Sequence, residues 1–118
     1  MEVSFKPAPL RHAQTWTLSG NSLLTPKGTK IDLTSVTGGY FLDLPVNRYW
    51  SAELQLVSAT ETVIIRCNDT RSGGSRQNYF LLIFELLDCL KLHNPTLTLR
   101  RGTSRLLNSV FACIAIRD

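Results

Sequence analysis

Histidine is scarce in this chain, cysteine nearly so, and no long apolar run occurs. The histidines are His12 and His93, and the cysteines are Cys67, Cys89 and Cys113. Nucleophilic catalysis needs a base within reach of a Ser or Cys. His12 lies beside Pro7 and Pro9, and His93 falls at the end of an expected helix, where it supports the helix dipole. The cysteines show no C-x-x-C spacing, so neither a metal cluster nor a redox pair is indicated. No catalytic residue, metal ligand or cofactor is therefore assigned. The first residues, MEVSFKPAPLRHAQ, have no apolar signal core, and the cysteine count is odd. Reduced, mostly buried thiols in a cytoplasmic setting are the expectation. No apolar run approaches the ~20 residues of a membrane span. The sequon Asn68-Asp69-Thr70 carries glycan only on a secreted chain. No acid occurs between Asp88 and Asp118, and Arg100, Arg101 and Arg105 cluster there.

What is present points to a packed core. Apolar residues make up 43% of 118 and charged residues 19%, a globular rather than disordered composition. The length fits one domain. Net charge is +4, which favours anionic partners without specifying nucleic acid.

Residues 1–13 read as a flexible arm, because Pro7 and Pro9 deny it regular structure. A single domain then runs over 14–118. Gln14–Leu18 alternates, with Trp16 and Leu18 on one face. Ser22–Thr25 and Thr29–Leu33 follow, joined by a Pro26-Lys27-Gly28 turn. Tyr40–Leu44 alternates with Tyr40, Leu42 and Leu44 together. Tyr49–Val57 is the clearest strand, with Trp50, Ala52, Leu54 and Leu56 facing inward. Glu61–Cys67 places Val63, Ile65 and Cys67 on one face. Asn68–Arg76 reads as a polar loop.

The most informative stretch is Gln77–Leu92 (QNYFLLIFELLDCLKL), a helix apolar nearly all round. Its polar residues Glu85, Asp88 and Lys91 are spaced three apart and form one narrow stripe. Glu85 and Asp88 are the one spaced carboxylate pair on a rigid element. They read as a solvated helix edge, with Asp88 pairing to Lys91, rather than as a glycosidase pair. Asn94-Pro95 ends the helix. Thr96–Arg100 alternates as a short strand, and Leu106, Leu107, Val110, Phe111 and Ile114 fit one face of a last helix. A buried strand over Val110–Ile116 fits that run too.

The fold class is α+β. The expected form is an antiparallel, strongly curved meander or partial barrel of five to seven strands. A long apolar helix C-terminal to the strands closes it, and a further short strand and helix follow.

This order, with WTLSGNSLLT at Trp16–Thr25 and TKIDLTSV at Thr29–Val36, resembles the bacterial pleckstrin-homology-like domains over Gln14–Leu92. The resemblance implies a curved sheet capped by a helix, and a binding or oligomerisation module, in some members beside a membrane. It also implies anion contact at a basic turn between early strands, here Lys27 and Lys30. Two departures stand out. The family usually has seven strands, against six at most here, and Thr96–Asp118 has no place in the minimal fold.

The expected function is a non-enzymatic binding or assembly module, self-associating or joined to another protein. Its candidate interface is Leu81, Leu82 and Cys89, with Phe111 and Ile114. The alternative is an anion, membrane-surface or nucleic-acid binder using Lys27, Lys30, Arg71, Arg76, Arg100, Arg101 and Arg105. Here Arg71 and Arg76 flank a glycine loop at a helix N-terminus, which lacks the G-K-[ST] of a P-loop. A small enzyme of unrecognised type is the third reading.

Overall fold

The computed structural model describes residues 1–46, 49–70, 73–101 and 116–117; for 43–46, 49, 100–101 and 116–117 it describes backbone alone. The chain is α+β, with antiparallel strand pairs and one α-helix among the described residues. The strands form two sheets rather than a single meander. The first is β1 (Glu2–Phe5), β2 (Gln14–Ser19), β3 (Ser22–Leu24) and β4 (Lys30–Asp32), neighbours in that order and all antiparallel. The second contains β5 (Val36–Val46), β6 (Tyr49–Ser58) and β7 (Thr62–Thr70), also antiparallel. Two short strands, β8 (Leu99–Arg101) and β9 (Ile116–Arg117), extend it in parallel on the β5 side. Among the described residues, neither sheet closes on itself. The helix α1 (Gly74–His93) follows β7 and is not the last element.

The expected flexible arm is corrected at its start. Glu2 and Ser4 alternate with Val3 and Phe5, and this short period-two pattern is enough to pair with β2. Phe5 is fully buried, its ring stacked on Trp16 at 6.3 Å and edge-on to Tyr79 at 5.1 Å. The Met1 carbonyl accepts from the Leu18 N–H at 2.8 Å. Asn78 Nδ2 donates to the Ser4 carbonyl at 2.9 Å.

The inward face of β5 is corrected as well. Phe41 is buried, while Tyr40 and Leu42 are half-buried. The register slips between Val36, opposite Ser58, and Gly38, opposite Val57. One extra residue exchanges the two faces of a strand, so Val36 and Phe41 both point inward. Gly39 sits in the crowded part of β5. A Cβ there would lie 2.9 Å from a Leu99 methyl and closer still to the Gln55 carbonyl.

β6 and β7 follow the expected alternation, with Trp50, Ala52, Leu54, Leu56, Val63, Ile65 and Cys67 buried. β7 continues to Thr70, and α1 begins at Gly74, so much of the expected loop is strand and helix. Packed against β1 and β7, α1 buries Tyr79, Leu82, Ile83, Leu86, Leu87 and Leu90. The Tyr79 phenol donates to the Ile65 carbonyl at 2.9 Å, tying helix to sheet.

Candidate functional site

The helix covers the core with one face and leaves the other bare. At about 100° per residue, Leu81, Phe84, Glu85, Asp88, Lys91 and Leu92 fall within an arc of roughly 120°. All six are exposed. The expected stripe Glu85-Asp88-Lys91 is thus solvated, and three large apolar side chains lie among it. Leu81 is 52% exposed, Phe84 46% and Leu92 77%.

Of the expected interface residues on α1, Leu81 is exposed, and Leu82 is corrected. Leu82 is fully buried, because it turns to the core face with Ile83 and Leu86. Cys89 is half-buried, and its thiol lies 3.8 Å from the Gly20 carbonyl. Burial, then the nearby charges of Glu85 and Asp88, push that thiol's pKa up, so it stays protonated and weakly nucleophilic. Phe111 and Ile114 lie outside the described residues.

Phe84 was not among the expected interface residues, although it is exposed. Its ring is anchored from below. Phe80 lies 6.1 Å from Phe84 and 5.3 Å from Trp50, and Trp50 lies 5.6 Å from Tyr79. A row of rings thus leads from the buried Phe5 and Tyr79 out to the surface at Phe84. A ring supported in this way presents its apolar edge with little rotamer freedom left to lose. The i, i+3 spacing of Leu81 and Phe84, read as one face, is the signal that could have found it.

The basic residues do not gather into one patch. Lys27 and Lys30 are exposed at the β3–β4 turn, and Lys27 faces Glu61–Ile64 at the start of β7. The Arg76 guanidinium lies 5.4 Å from the centre of the Trp50 ring, a cation–π contact. Trp50 pairs with Asp69 at the far end of the same strands. From Trp50 to Leu56, which pairs with Val63, is roughly 20 Å of extended chain. Arg71 and Arg105 lie outside the described residues. Arg100 and Arg101 belong to β8 and are described in backbone alone.

Three carboxylates are engaged within the fold. Arg66 bridges to Glu53 at 2.6 Å, which lowers the Glu53 carboxyl below its ordinary range. Asp32 accepts from both Thr34 Oγ1 and Thr34 N and is lowered by those bonds. Asp69, the buried carboxylate, accepts from Thr70 N at 2.8 Å and Ser75 N at 3.1 Å, at the N-terminus of α1. Among the described residues no three His, Cys, Asp or Glu side chains gather as metal ligands. No helix among them is long and apolar enough to cross a membrane. No protein-family model, curated protein or solved structure matches this chain.

Proposed function

We propose that this chain is a non-enzymatic assembly module that self-associates through the bare stripe of α1. One observation carries the reading. Leu81 and Phe84 are about half exposed, side by side, on a helix whose other face forms the core. Covering the exposed half of each is worth about 1 kcal/mol or somewhat more per side chain. A two-fold interface counts every contact twice. In an antiparallel pairing of two copies of α1, Leu81 comes opposite Phe84 of the second copy, and Phe84 opposite its Leu81.

The pleckstrin-homology-like resemblance belongs to the same proposal. Seven strands precede α1 once Glu2–Phe5 is counted, which removes one of the two departures from that family's pattern. The non-enzymatic reading draws on the roles of the acids. Asp69 holds the helix start, Asp32 a turn, and Glu53 an ion pair. Size-exclusion chromatography with light scattering, across a range of concentrations, tests the proposal. A mass rising toward the dimer supports it; a monomer throughout overturns it.

A further inference from the structure

A second surface runs along the free edge of β7, the outermost strand of its sheet. The Asn68 N–H points away from β6 and donates to the Lys6 carbonyl at 3.3 Å. Backbone groups alternate sides along a strand, so Thr62, Ile64 and Arg66 present theirs on the same side as Asn68. Beyond Lys6 the chain leaves this edge. Pro7 has no N–H to give, and the Arg11 N–H turns back to the Ala8 carbonyl at 3.1 Å.

Two open clefts border the edge there. One, of about 430 Å³, lies between Pro7–Arg11 and Ile64–Asn68; the other, of about 320 Å³, lies between Pro26–Lys27 and Glu61–Ile64. They share Gln14, Trp16 and Ile64 and so form one groove from residue 61 to 68. That length is roughly 23 Å, room for six or seven extended residues. At its middle Ile64 is 44% exposed, a large apolar side chain between Thr62 and Arg66. The walls carry Arg11, Lys27 and Arg66 against Glu61. Arg66 is paired to Glu53, whereas Arg11 and Lys27 have no carboxylate partner among the described residues.

We propose that this groove takes an extended segment of a partner protein as an added strand on β7, with an apolar side chain over Ile64 and Trp16 and acidic side chains toward Arg11 and Lys27. Strand addition supplies main-chain hydrogen bonds for affinity and side-chain pockets for choice. The groove is long and open, which suits a chain rather than a small molecule needing enclosure. It does not suit nucleic acid, since Trp16 is only 7% exposed and cannot stack on bases. A second copy of β7 would bring a duplicate set of Arg11, Lys27 and Arg66 into one groove. This surface is separate from the α1 stripe and does not depend on self-association.

The test is a random dodecapeptide display library panned against the full chain, followed by synthesis of the enriched peptides. Enriched sequences should alternate apolar and acidic residues, and binding should slow amide exchange at Thr62, Ile64 and Arg66. Ile64→Pro removes one outward N–H at an edge, where proline is tolerated. It should weaken binding about tenfold, the equivalent of losing one or two hydrogen bonds. Arg11→Glu/Lys27→Glu changes exposed side chains only, should weaken binding by a similar factor, and decides the matter if Ile64→Pro does not fold. Glu2→Lys, at an exposed position of β1 outside both surfaces, should leave binding unchanged. Enrichment of no acidic sequence, protection on α1 instead of β7, or full affinity in the charge-reversed variant would overturn the proposal.

Discussion

Gly73 and Asp69 are held so close that a Cβ on Gly73 would overlap the Asp69 carboxylate. That carboxylate accepts from the Ser75 N–H and does the work of a cap that Gly73, at the N-cap position, cannot supply. Gly73→Ala should push the carboxylate off the helix end and cost about 1–2 kcal/mol, the worth of a cap. Asp69→Ala should cost a similar amount. The two losses should not add, because Asp69→Ala also removes the overlap. Urea unfolding of the single and double variants measures this coupling.

The first strand is part of the core. Phe5 is 1% exposed and touches the rings of Trp16 and Tyr79. Phe5→Ala should therefore cost about 3–5 kcal/mol, as for a large ring removed from a packed interior. Leu10, which is fully exposed, serves as the control, and Leu10→Ala should stay within about 0.5 kcal/mol. Thermal unfolding of both variants checks the contrast.

Glu53 gives an acid limb. Hydrogen bonding from Arg66 lowers its carboxyl below the ordinary 4.5. A depressed folded value means the contribution is present above pH 4.5 and is lost as pH falls through the lower folded value. The pair is partly exposed, so its worth is below about 1 kcal/mol. Glu53→Gln should flatten stability against pH in that acid window and leave the neutral-to-alkaline slope unchanged.

The thiols give an alkaline limb. Burial, with the charge of Asp69 second, pushes the Cys67 thiol up to about 12, from an ordinary 9.0. The unfolded chain releases this proton first, so stability present below pH 9.0 is lost progressively as pH rises toward 12. Cys67→Ala should reduce that slope. In the native protein at pH 8, a thiol reagent should modify Cys67 only at the rate of opening, and Cys89 faster.

The strands were legible where alternation is strict. β6 follows its pattern through Trp50, Ala52, Leu54 and Leu56, each facing the core. The phase of β5 was not legible, because a bulge beside Gly38 leaves no mark in the order of apolar residues. β1 was obscured by the prolines after it, although Val3 and Phe5 carry the period. The helix was legible as too apolar for a surface element, and so was its solvated stripe at Glu85, Asp88 and Lys91, but the apolar width of its bare side was not. Near-uniform apolarity leaves the neighbours of that stripe undecided, so Leu82, expected at the interface, is buried, and Phe84, not named there, is exposed. The β7 groove has no sequence signature, since its walls, Arg11, Lys27 and Ile64, come from distant segments.

Self-association through α1 is tested most directly by sedimentation equilibrium on the wild type beside Leu81→Glu/Phe84→Glu. Both positions are exposed, so the variant should fold with a melting temperature close to that of the wild type. A wild-type mass that rises with concentration, beside a variant that stays monomeric, is the predicted result. A wild type that stays monomeric at every concentration, or a folded variant that associates as strongly as the wild type, would contradict it.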